Sequence, residues 1–116
     1  MGPWNTEQIN RARRVPFSAV LDFLGAYYKR DREYEPLDPA TKSIRIQVGY
    51  QAQDFRFILT GEKWFNELLP DGTPNRGGGG AIDFVRHVTG LNFVQAVKIC
   101  LDASMAPHDK RMSSDV

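Results

Sequence analysis

The chain is poor in the residues that build metal sites and disulfides. Cys100 is its single cysteine, and His87 and His108 are its only histidines. One cysteine excludes an internal disulfide and a cysteine-rich zinc site. A structural zinc would need two or more carboxylates, so no metal or other cofactor is expected. Charge of one sign is lacking too. Fifteen Lys and Arg stand against 14 Asp and Glu, for a formal net charge of +1. Nucleic-acid binding must therefore rest on a local patch. No apolar run approaches the roughly 18 residues of a membrane span. The N-terminus carries no apolar signal segment, and a reducing cytoplasm fits the composition. The few serines form no nucleophile elbow. No acidic cluster offers metal-dependent chemistry. A Cys100–His87 couple is conceivable, but Cys100 falls on an apolar helix face, where it reads as a small core residue. The chain is expected not to be an enzyme.

What is present fits one domain of 116 residues, with 41% hydrophobic and 25% charged residues. The chain is organised around Gly77–Leu101, GGGGAIDFVRHVTGLNFVQAVKICL. Ala81, Phe84, Val85 and Val88 recur at helical spacing, and Phe93, Ala96, Val97, Cys100 and Leu101 repeat the pattern. Gly90 ends the first helix, and Asn92 with Gln95 caps the second. Asp83 in the first turn suits the helix dipole. His87 reads as half-exposed, and Arg86 and Lys98 as facing solvent. Two apolar faces this close form a corner that needs a partner surface.

The preceding chain supplies it. Pro16 opens a helix over Phe17–Leu24, with Tyr28 as a further limit and Gly25 as a stop. Arg32–Pro36 is a candidate short strand, and Leu37–Ala40 a turn. Ser43–Gly49 and Asp54–Leu59 alternate apolar and polar residues and read as one antiparallel hairpin. Lys63–Asn66 follows as a further strand. The expectation is an α+β fold. A small antiparallel sheet of three to four strands packs with an N-terminal helix and a C-terminal helix pair. Residues 1–14 read as a basic arm, 15–103 as the domain, and 104–116 as a mobile tail.

Several features leave a functional and a structural reading open. Arg11, Arg13 and Arg14 are a phosphate-contacting arm or a solvated turn. Tyr27 and Tyr28 beside Lys29, Arg30 and Arg32 are a stacking surface or a core edge with a charged loop. Arg45 and Arg56 share an outward sheet face and repel unless an anion or an acid such as Glu33, Glu35 or Glu62 intervenes. The four glycines hold an anion at the helix start, pack closely on the sheet, or flex. They are not a Walker A loop, because no Gly-Lys-Ser/Thr follows.

The string Gly79–Leu101 resembles the end of the zinc-binding domain of bacterial DnaG-type primases, above all those of plasmids, phages and other mobile elements. Gly80, Ala81, Ile82, Asp83 and Phe84 match its first helix there. Gly90, Leu91, Phe93, Ala96 and Val97 match its second. Val15–Leu24, Phe55–Leu59 and Lys63–Phe65 stand where the family has corresponding elements, so the likeness spans roughly Val15–Ala103. The family's zinc ligands, three cysteines and a histidine, are absent. Leu-Asp-Pro-Ala occupies 37–40, and no cysteine falls in 64–69. The resemblance implies a primase-like fold without zinc, with Trp64, Phe65, Leu68 and Leu37 packing in its place.

It further implies a non-catalytic DNA-binding accessory protein of plasmid or phage replication or transfer, preferring single strands. The alternative is a protein-interaction module of a mobile element, built on a degenerate primase-like scaffold, that acts as an inhibitor or adaptor of a replication, conjugation or defence protein. The contacts expected for DNA are Arg11, Arg13, Arg14, Tyr28, Lys29, Arg30, Arg32, Arg45, Arg56, Lys63, Trp64 and Arg76, with Tyr50 and Phe65 as further stacking candidates.

Overall fold

A computed structural model describes residues 3–105. The elements run α1 (Thr6–Arg13), α2 (Phe17–Leu24), β1 (Tyr27–Arg30), a 3₁₀ turn (Pro39–Thr41), β2 (Ile44–Tyr50), β3 (Gln53–Thr60), β4 (Lys63–Asn66), β5 (Gly77–Gly79), α3 (Gly80–Thr89) and α4 (Phe93–Met105). The fold is α+β, with one antiparallel sheet whose strand order equals the chain order.

Among the described residues the sheet has five strands rather than three or four. Gly25, at φ 71°, ends α2 in the left-handed conformation. Tyr27–Arg30 is therefore a strand, not helix, and 32–36 is not a strand. The glycine run supplies the fifth. A Cβ on Gly77 would lie 2.8 Å from the Trp64 carbonyl oxygen, so only glycine admits β5 this close to β4. Gly80 turns the chain into α3 at φ 82°, against Arg13. The run is thus a packed edge strand.

Residues 5–13 are not an open arm. Asn5 and Gln8 form a reciprocal capping box, and Ala12 is fully buried in the core. The expected tail begins inside α4, which extends to Met105; the rest of it lies outside the described residues.

Alternation along the strands sets the two faces. Tyr28, Ile46, Val48, Phe55, Phe57, Leu59 and Trp64 point inward and are buried. Phe84 of α3 anchors the helical side. Its ring lies 4.6 Å from Phe17, 4.8 Å from Phe57 and 6.1 Å from Trp64. Burying such a ring contributes roughly 1.5–3 kcal/mol. The helix α4 packs on all three other helices. Gly90 (φ 77°) closes α3, and Asn92 Oδ1 accepts from the Gln95 N–H at 2.9 Å. Of the four apolar side chains expected to replace a metal, only Trp64 is buried; Leu37, Phe65 and Leu68 are exposed. Cys100 is buried, and burial pushes its thiol up to about 12.

Candidate nucleic-acid interface

Among the described residues the helices pack on the inward side of the sheet, and no helix covers the outward side. On β1 it carries Tyr27 and Lys29; on β2, Arg45 and Gln47; on β3, Arg56, Ile58 and Thr60; on β4, Lys63 and Phe65. The register aligns Arg45, Ile58, Phe65 and Gly77 in one row, and Lys29, Gln47 and Arg56 in the next.

Two residues expected to stack bases face the other way. Tyr28 is 2% exposed, and its hydroxyl donates to Asp22 Oδ1 at 2.7 Å. Trp64 is 4% exposed, between Phe57, Phe84 and His87. The period of two puts their neighbours outside instead. Tyr27 is 62% exposed and Phe65 38%. Tyr50 is half-buried against the core.

The arginines divide into two groups. Arg45 Nε and Nη2 both donate to Asp31 Oδ2. Glu67 Oε1 accepts from Arg45 at 3.5 Å and from Arg56 at 3.1 Å. Arg45 and Arg56 are diagonal rather than opposite, and Glu67 lies between them. The acids that quench them are therefore Asp31 and Glu67, not Glu33, Glu35 or Glu62. The bond to Arg45 holds the Asp31 carboxyl below its usual range, and Asp31 in turn raises Arg45. Arg45 also sits over the Tyr34 ring at 4.9 Å. Arg76 sits over Phe65 at 4.3 Å and bonds Asp71 at 2.8 Å.

Arg11, Arg13 and Arg14 are exposed at the end of α1, where positive charge suits the helix dipole. Lys29, Lys63 and Arg32 are exposed, and Arg30 is half-buried. Among the described residues, Lys29, Lys63, Arg11, Arg13 and Arg14 make no ion pair with a carboxylate.

Shallow depressions mark both ends of the open face. One of about 540 Å³ is walled by Ile58 and Phe65 and floored by Gly78 and Gly79, with Lys63 and Thr60 at its rim. The other, about 320 Å³, lies between Tyr27, Gln47, Asp54 and Arg56. Flat apolar walls beside cations can take base rings and phosphates together.

A separate cleft of about 500 Å³ lies behind β5, between Trp64, Asn75, Asp83, Arg86 and His87. Its inner wall holds a polar pair, buried Asn66 and half-buried His87. Asn66 Oδ1 accepts from the Leu68 N–H at 3.1 Å and from the Arg56 N–H at 3.4 Å. The Asn66 amide nitrogen must therefore donate to His87 Nε2, 3.0 Å away. This fixes neutral His87 with its proton on Nδ1, directed at the Asn75 backbone. Burial lowers the His87 pKa below its ordinary value; the bond to Asn75 opposes the shift. Among the described residues no three His, Cys, Asp or Glu side chains converge to hold a metal ion.

No local pattern signals the Asn66–His87 pair, whose members sit 21 positions apart, or the contact of Tyr34 with Arg45. Asp31 was visible as the one acid inside the Lys29–Arg32 run. No family model, curated protein or solved structure matches the chain.

Proposed function

We propose that the chain is a non-catalytic DNA-binding accessory module that holds single-stranded DNA on the open face of its sheet. One observation carries the reading: among the described residues Tyr27 and Phe65 are exposed on a face that no helix covers, beside Lys29 and Lys63. Bases stack on the two rings, and the lysines meet the phosphates. Single strands are preferred because only unpaired bases expose their faces. The setting, replication or transfer of a plasmid or phage in the cytoplasm, rests on the resemblance of Gly79–Leu101 to the primase zinc domain.

The test is fluorescence anisotropy with labelled single-stranded and duplex DNA of equal length, over a salt series. The single strand should bind more tightly and weaken linearly in log salt. Tyr27→Ala and Phe65→Ala should each cost about 1–3 kcal/mol, the range for one stacked base. Binding of neither DNA form at low salt would sink the proposal.

The ion pairing of Arg45 and Arg56 favours the second reading, a protein-interaction module. With these two quenched, the row Ile58–Phe65 is an apolar strip with little free charge at its centre. A complex with a replication or conjugation protein that survives nuclease, without DNA binding by the isolated chain, would select this reading.

A further inference from the structure

We infer that the cleft between the α1–α2 junction and the β3–β4 turn is a phosphate site that holds one phosphodiester of the bound strand. The identity of the phosphate rests on the DNA reading above; the anion site itself does not. The cleft measures about 280 Å³, room for one phosphate group with its hydration. Arg13, Arg14 and Lys42 line it, with Glu62 as the single carboxylate. Three cations against one acid leave +2 in a space this small, while the whole chain carries +1.

These three cations are available to an anion. Arg45, Arg56 and Arg76 each bond an acid. Arg13, Arg14 and Lys42 make no ion pair among the described residues. Like charges gathered without a counterion repel, and an anion between them reverses the sign. Lys42 reaches the cleft from a left-handed backbone, φ 56°, a conformation that costs a lysine energy. The first turn of α2 also opens here at Phe17, and its N-cap, Pro16, supplies no side-chain acceptor.

Position links the cleft to the open face. The turn Gly61–Glu62 forms one wall of the cleft, and its flanking residues Thr60 and Lys63 rim the groove beside Phe65. A strand stacked on Phe65 passes this turn and sets its next phosphate among Arg13, Arg14 and Lys42.

Lys42→Gly tests this cleanly. It removes the ammonium and relieves the backbone, so the protein should become more stable while DNA binding weakens by about tenfold, the loss of one charge-assisted bond. The slope of log affinity on log salt should fall by about 0.7, one phosphate contact in a single strand. Glu62→Gln should tighten binding. Amide NMR shifts of Phe17, Lys42 and Gly61, read with inorganic pyrophosphate and with a thymidine oligonucleotide, separate the two readings. Shifts there with both probes are expected. An oligonucleotide that binds without moving these amides, at an unchanged salt slope in Lys42→Gly, overturns the cleft and leaves the sheet face standing. Shifts with pyrophosphate from a chain that binds no oligonucleotide overturn the assignment to DNA. Stillness with both probes overturns the site.

Discussion

At the scale of the residue, His87 shows how one hydrogen bond fixes a protonation state. Its Nε2 accepts from Asn66, whose own oxygen is already engaged by two backbone N–H groups. A second proton on the ring would face the Asn66 amide hydrogens. Burial already holds the folded pKa below the ordinary 6.5. The unfolded chain therefore binds this proton first. Stability from His87 is fully present above about pH 6.5 and is lost as pH falls through the folded pKa. The denaturation midpoint should drop between pH 7.5 and 5 in the native chain and less in His87→Gln. Equal slopes in the two would contradict this. Asp31, with its pKa lowered by Arg45, acts in a separate window. Its contribution is present above 3.8 and lost only in stronger acid.

At the scale of the element, the sequence was legible wherever period and cap agreed. Phe17–Leu24 with Gly25, the hairpin from Ile44 to Thr60, Lys63–Asn66 and the two helices around Gly90 all stand where alternation or helical spacing put them. The failures have physical causes. Only Ile9 and Ala12 mark the apolar side of α1, too few for a periodic signal; the Asn5–Gln8 capping box was the readable clue. Strand β1 holds four residues, of which only Tyr28 is buried. Strand β5 is all glycine, so propensity argues against it, and its cause is a contact with Trp64 that no local pattern encodes.

The β2–β3 turn carries its own prediction. Gln51 (φ 48°) and Ala52 (φ 66°) are both left-handed, as a two-residue hairpin of the I′ type requires. Neither is a residue that favours this region. Replacing the pair with Asn-Gly should raise stability by about 1–2 kcal/mol. The reading is a higher urea midpoint at unchanged slope. An unchanged midpoint would show that the turn holds no strain.

At the scale of the whole molecule, a one-sided architecture shapes both surfaces considered for binding. Every helix among the described residues lies on one face, so the other presents Tyr27, Phe65 and the lysines together. The candidate site was half legible for the same reason. Alternation places Arg45 and Arg56 outward, while Lys29, Lys63, Tyr28 and Trp64 rest on residue type alone, and of these Tyr28 and Trp64 fall on the inward phase. Arg13 and Arg14 were visible as a cluster, but Lys42 joins them only through tertiary packing.

The strand order has a consequence in time. Each strand pairs with its neighbour in the chain, and the central strands β2, β3 and β4 are joined by two-residue turns, which close at little entropic cost. The two ends of the described chain meet separately, where α1 packs on α4 and the Trp4 indole N–H donates to the Val94 carbonyl at 3.0 Å. That clasp joins residues 90 positions apart. Hairpin contacts should therefore set how fast the protein forms, and the clasp how long it lasts. In stopped-flow mixing, Phe57→Leu should slow folding, whereas Trp4→Ala should speed unfolding and leave the folding rate nearly unchanged. The opposite pattern would mean that the ends meet before the sheet does.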